Sequence, residues 1–324
     1  MKLGVLGTGR IANSVAPAWV ALPEIECYAA ASRTPGKAEA FAQKYGFQKV
    51  YDSYEAMLQD PQVELVYVAT PHSHHYEHMM LCLEHGKHVI SEKAFTMNAV
   101  QAEKIRIAAK EKGLYVAEAI WTRYMPSRKL IDGIVESGVI GKVNTLTANL
   151  SYVIHGKQRI VDPALAGGAL LDIGVYGLNF ALMHFGDDIE RIESAVRLTQ
   201  KGVDAMETIT LFYRDGRMAV LTHSIYCRSD RKGIIHGDQG YLVVENINNP
   251  QSVCVYDLED RLLACYDVPK QVNGYEYEFA EAVRCITEGK LESDSMPMAE
   301  TVKVMSIMDS LRKQWGVVYP QEKE

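Results

Sequence analysis

Residues 2–12 read KLGVLGTGRIA. Leu3 to Leu6 form a short apolar run that suits a buried strand, and Gly7, Gly9 and Ala12 follow it in the spacing G-x-G-x-x-G/A. Gly7 permits a tight turn, Gly9 lets backbone approach a pyrophosphate, and Ala12 lets a helix pack closely on the strand. The N-terminus of that helix would offer unpaired N–H groups to an anion. On this reading Gly7, Thr8, Gly9, Arg10, Ile11 and Ala12 cradle a dinucleotide. The motif alone is a common turn; its weight comes from the strand–helix–strand unit around it.

That unit repeats. KLGVLG, IECYAAAS, ELVYVATP, KHVISEK and LYVAEAI read as strands, and amphipathic segments such as 37–45 and 98–112 read as helices between them. Such alternation predicts a parallel sheet with helices on both faces, a doubly wound α/β domain over residues 1–121. Beyond Trp121 the rhythm changes to longer β-rich runs with helices near 127–137, 170–185, 276–288 and 299–315. Asp215-Gly216 between two such runs is a hairpin signal. Residues 122–324 are therefore expected to form a second α/β domain on a large, open, mostly antiparallel sheet. A broad uncovered sheet face favours a second copy of the chain, so a homodimer through this sheet is expected.

The chain's 324 residues exceed what one core usually organises. A net charge of −7 opposes general binding to nucleic acid or to anionic membranes. Six cysteines without a C-x-x-C pair suggest reduced thiols and no disulfide. The first residues enter a strand directly, with no signal peptide, and no run approaches the roughly 18 apolar residues of a membrane span. A cytoplasmic protein acting on small molecules is expected.

The second strand ends in Ala31-Ser32-Arg33-Thr34. An acidic residue there would chelate the ribose diol of NAD, and none is present. Ser32, Arg33 and Lys37 can instead hold a 2′-phosphate, which favours NADP(H) over NAD(H). The strand ELVYVATP runs into HSHHYEH, placing Thr70, Pro71, His72 and His75 on the cofactor side. Four histidines here invite a metal, but only Glu77 accompanies them, so no metal site is expected and the remaining histidines should open a surface helix.

GKHVISEKAFT (residues 86–96) sets Glu92 and Lys93 at the mouth of another strand, on the same rim as the glycine turn. Downstream, AGGALLDIGVYGLNFA carries Asp172 and Tyr176 four apart on an otherwise apolar helix, hence on one face. Gly167 and Gly168 would let this segment approach a ligand. Together GTGRIA, VATPHSHH, GKHVISEKA and GGALLDIGVYG resemble, in order and spacing, the glucose–fructose oxidoreductase / inositol dehydrogenase (Gfo/Idh/MocA) family over essentially the whole chain. AEAIWTRYMP (residues 117–126) and a tyrosine at 176, where much of the family has histidine, are similar to the branch of dimeric dihydrodiol and NADP-dependent D-xylose dehydrogenases.

The resemblance implies a Rossmann domain, a dimer through the open sheet, and Lys93, Asp172 and Tyr176 as the catalytic set. Ala94 departs from the family, which usually has proline after the lysine; were that bond cis, alanine would favour trans by about 2.5–4 kcal/mol. In the expected mechanism a substrate carbinol gives hydride to the nicotinamide and a proton to Tyr176. Lys93 favours the phenolate, and Asp172 orients both. Glu92 is expected to support the ribose or the loop. Trp121, Arg123 and Tyr124, which follow the LYVAEAI strand, are expected on the substrate side. The rival expectation is a catalytically silent NAD(P)-binding sensor of the same fold.

Overall fold

A computed structural model describes residues 1–322, which divide into two compact units. The first comprises residues 1–124 and 271–306. In chain order it begins β1 (Lys2–Leu6), α1 (Arg10–Ala21), β2 (Glu26–Ala31), α2 (Lys37–Tyr45), β3 (Lys49–Tyr51) and α3 (Tyr54–Leu58). It continues β4 (Leu65–Val68), α4 (His72–Glu84), β5 (His88–Glu92), α5 (Ala99–Lys112) and β6 (Val116–Ala119). All strand pairs are parallel, in the order β3-β2-β1-β4-β5-β6. The chain order reverses beside β1, and in open sheets of this kind ligands bind at the carboxyl ends of the strands next to that switch. Gly7, Ser32, Ala69 and Lys93 are the residues that directly follow β1, β2, β4 and β5.

The fully buried Trp19 of α1 organises this core. It meets Tyr67 of β4 edge-on, with ring centroids 5.2 Å apart. It also meets Phe279, at 5.4 Å, from a helix more than two hundred residues later. The expected single boundary after residue 121 is thereby corrected: residues 271–306 belong with the first unit because Phe279 and its neighbours complete its aromatic core.

The second unit comprises residues 125–270 and 307–324, described to 322. It contains α6 (Pro126–Glu136), β7 (Val143–Ser151), α7 (Gln158–Val161), a π-helical turn (Leu170–Gly174) and α8 (Val175–Phe185). Then come β8 (Ile189–Leu198), β9 (Asp204–Tyr213), β10 (Met218–Ser224), β11 (Gly233–Gly237), β12 (Tyr241–Val244), β13 (Ser252–Tyr256) and β14 (Leu262–Asp267). The chain closes with α9 (Glu276–Thr287) and α10 (Met298–Trp315). The eight strands run β14-β13-β12-β11-β7-β10-β9-β8, antiparallel except for β7 beside β10. Residues Leu146, Leu150, Ile209, Leu211, Ala219 and Leu221 are buried, while the alternate Thr145, Thr147, Thr208, Thr210 and Thr222 are not. That period of two marks a sheet with one covered face, and α8 packs against β7 and β10.

Two expectations fail here. Cys254 and Cys265 are disulfide-bonded, because the antiparallel register of β13 and β14 sets them directly opposite each other, a pairing that a search for C-x-x-C does not see. Cys27, Cys82, Cys227 and Cys285 are free thiols. Residues 163–185 are also long and apolar enough to pass for a membrane span, but 94% of the most apolar window is buried inside the protein, as befits a core helix.

Candidate active site

Gly7 has φ +97°, and a Cβ there would lie 3.1 Å from both the Ala69 carbonyl oxygen and the Thr70 methyl. Only glycine sits comfortably in that turn. A Cβ on Gly9 would meet nothing within 4 Å, so the space above the start of α1 is open. α1 has neither a side-chain cap nor an acid in its first turn, and the buried Thr8 hydroxyl has no partner. An uncapped helix start with a spare hydroxyl fits a pyrophosphate. Arg10 is exposed and Ile11 half-buried beside it, while Ala12 is buried against the sheet. At the end of β2, Arg33 and Lys37 are exposed and Ser32 accepts the Thr34 N–H at 3.2 Å. The Arg33 guanidinium lies 5.8 Å from the Tyr54 ring centroid, which supports the arginine without consuming its charge.

Pro71 caps α4 from an exposed position and His72, half-buried, opens the helix. Of the two histidines expected on a surface helix, His74 is half-buried on α4 and His78 is buried. His75 is fully buried, with Nδ1 2.9 Å from the Ala94 carbonyl oxygen and Nε2 2.7 Å from that of Thr70. It ties the turn after β4 to the turn that carries Lys93. His78 is buried with Nδ1 2.9 Å from the Thr70 hydroxyl, and burial lowers its pKa to about 4. No group of three or more metal-ligating side chains occurs among the described residues.

Lys93 follows β5 directly, is half-buried, and its bond to Ala94 is cis. Glu92 is buried and accepts the Tyr67 hydroxyl, a bond between neighbouring strands β4 and β5. The three expected substrate-side residues each have a partner within the first unit. Arg123 is almost fully buried and donates to Glu300 at 2.5 Å, Trp121 stacks on Tyr275 with ring centroids 4.1 Å apart, and the Tyr124 hydroxyl donates to the Glu118 carbonyl at 2.8 Å.

Asp172 and Tyr176 belong to the second unit, both buried, on the π-turn and the first turn of α8. Inserted π-turns are frequent at functional sites. Asp172 accepts a two-pronged interaction from Arg159, at 2.8 and 3.4 Å. Arg159 was not singled out from the sequence; it lies 13 residues upstream, and no periodicity links it to Asp172. Gly167 and Gly168 lie close to the second unit's own interior: a Cβ on Gly167 would fall 2.6 Å from the Ile160 carbonyl oxygen, and one on Gly168 would strike the Asp204 carboxylate.

Residues 1–119 match the family pattern described as GFO_IDH_MocA, an oxidoreductase family with an NAD-binding Rossmann fold, and residues 129–243 match the GFO/IDH/MocA C-terminal domain. The chain belongs to the GFO/IDH/MocA family. It is accordingly an NAD(P)-dependent oxidoreductase of the dehydrogenase kind. Trans-1,2-dihydrobenzene-1,2-diol dehydrogenase from Danio rerio is 32% identical over 100% of this chain and 99% of its own length. The human protein of that name is also 32% identical, with the same two shares. Among solved structures, a 3-ketoreductase from Actinomadura kijaniata in complex with NADP and TDP-benzene superposes with a TM-score of 0.89 at 26% identity, covering 97% of each chain.

Behind the rim of this GFO/IDH/MocA protein lie buried carboxyl groups that sequence inspection did not flag. Glu118, on β6, accepts the Phe95 N–H at 3.2 Å, two residues beyond Lys93. Burial raises its pKa to about 7, against the lowering effects of Thr301, the Phe95 N–H and Arg123. Burial likewise holds Glu278 well above the ordinary carboxyl range, with the Glu92 charge adding to the effect. The folded chain thus keeps the Glu118 proton between pH 4.5 and about 7, where the unfolded chain has released it. This contribution to stability is complete below pH 4.5 and is lost as pH rises through about 7. Glu118→Gln should therefore gain stability relative to wild type with rising pH, by about 1.4 kcal/mol per pH unit in that window. Urea unfolding at several pH values checks this; a pH-independent difference refutes it.

Proposed function

We propose that this chain is an NADP-dependent dehydrogenase that moves hydride between the nicotinamide and a carbinol or carbonyl of a sugar, polyol or cyclic diol. The observation that carries the reading is the buried carboxylate and phenol of Asp172 and Tyr176, one helical turn apart on a helix that is otherwise apolar. Arg159 accompanies the Asp172 carboxylate at 2.8 Å, so a buried anion and a phenol are held one helical turn apart. The names of the relatives, a diol dehydrogenase and a ketoreductase, support the substrate class.

Bound NADP⁺ supplies the hydride acceptor. Tyr176 accepts the carbinol proton, Lys93 supplies the positive charge that favours the phenolate, and Asp172 holds the polar groups in register. The backbone from Gly7 to Ala12 holds the pyrophosphate, and Arg33 with Ser32 and Lys37 holds the 2′-phosphate. The open sheet face supports a homodimer: Tyr241 and Tyr256 stack there with centroids 5.2 Å apart, and Val243 and Ile234 are half-buried neighbours in register.

A spectrophotometric screen of NADP⁺ and NAD⁺ against aldoses, inositols, anhydro-sugars and trans-dihydrodiols tests the reading. Tyr176→Phe should lower kcat on the best substrate by about 10²-fold or more with cofactor affinity nearly unchanged; near-full turnover would transfer the proton to Lys93. Tight cofactor binding without turnover by the wild type on any substrate would favour the sensor. Arg33→Ala should weaken NADP⁺ by about tenfold or more and leave NAD⁺ nearly unaffected; equal losses contradict a 2′-phosphate role. In sedimentation the chain should run at about twice its 36.2 kDa and Val243→Asp should shift it to monomer, whereas a wild-type monomer at micromolar concentration excludes the dimer.

A further inference from the structure

Three titratable side chains lie fully buried beneath the helix that carries Asp172 and Tyr176: Asp204 and Glu207 on β9, and His223 on β10. β9 and β10 pair so that Glu207 and His223 stand directly opposite, with Glu207 Oε1 3.3 Å from His223 Nδ1. Asp204 accepts the Leu170 N–H at 2.5 Å, at the first residue of the π-turn. Above the other two side chains the helix presents only glycine. A Cβ on Gly174 would lie 2.7 Å from Glu207 Oε1, and one on Gly177 would collide with His223 Nε2. Gly174 and Gly177, three apart, share one face of the helix. Asp172 and Tyr176, four apart, share another.

We propose that Asp204, Glu207 and His223 are positioning residues that set the height and rotation of this helix, and so the placement of the Tyr176 hydroxyl; the inference rests on Tyr176 as the proton acceptor. Asp204 anchors the start of the π-turn, and the Glu207–His223 pair forms a flat seat into which only a side-chain-free helix face fits. The seat carries little charge, because burial keeps the Glu207 carboxyl protonated and the His223 imidazole neutral. Against an apolar seat of leucines the helix could slide by fractions of an ångström; planar groups in contact with two glycines allow one depth.

The test is a compensating pair of substitutions in the full chain. Gly177→Ala should lower kcat by about 10- to 100-fold, the cost of a displacement of about 1 Å, while the KM for cofactor stays within about twofold. Gly177→Ala combined with His223→Ala, which restores the space, should recover much of that loss. A second readout needs no turnover: 3-fluorotyrosine placed at 176 should show a ¹⁹F resonance shifted by Gly177→Ala and returned toward the wild-type position in the double variant. Glu207→Gln keeps the shape and should retain near wild-type kcat, whereas Glu207→Ala should not. Wild-type kcat and resonance in Gly177→Ala, or a double variant no better than the single one, overturns the proposal. Loss of activity in Glu207→Gln overturns it too, since the pair would then act through a proton. A ¹⁹F shift and recovery in a protein that turns over nothing would keep the positioning role and sink the dehydrogenase reading instead.

Discussion

At Gly7 the backbone passes so close to Ala69 and Thr70 that a methyl group would be crowded. At Gly168, Gly174 and Gly177 it passes closer still to Asp204, Glu207 and His223. In both units, then, backbone is pressed against the interior beside candidate functional residues. Close packing leaves one admissible depth at such a contact, and a missing Cβ is what permits it. The dinucleotide turn and the helix bearing Asp172 and Tyr176 are thus placed by the same constraint.

Buried charge is handled differently in the two units. In the first, Arg123 and Glu300 form a pair, Tyr67 serves Glu92, and Glu118 and Glu278 are kept protonated over much of the pH range by burial. In the second, Asp172 keeps a partly exposed arginine, while burial drives Glu207 to gain a proton and His223 to lose one instead of forming an ion pair. Isolated buried charges are expensive enough that a carboxyl group gives up its ionisation first. Asp172 and Tyr176 share one face of the helix and the glycines that meet this neutral seat share another.

The alternation of short apolar runs with amphipathic helices made the doubly wound sheet legible, since a period of two and a period of 3.6 leave different residue patterns. The Asp215-Gly216 turn was legible for the same local reason: β9 and β10 do pair across it. β3 and β11 were not, because a three-residue strand and a pentapeptide with glycine at both ends carry too little pattern. In the site, the glycine turn, Lys93, Asp172 and Tyr176 stand in recognisable motifs. Arg159, Glu118, Glu207 and His223 do not, for their partners are distant in sequence.

By itself, the sequence determined most element types, the family, and the glycine turn of an NAD-binding Rossmann fold, because those depend on neighbours along the chain. Only the tertiary structure decided that Phe279 completes the core begun by Trp19, that Cys254 faces Cys265, and that three glycines rest on an acid, an acid and an imidazole. Those contacts join residues from 11 to 260 positions apart, and strand register and close packing choose them, not local propensity.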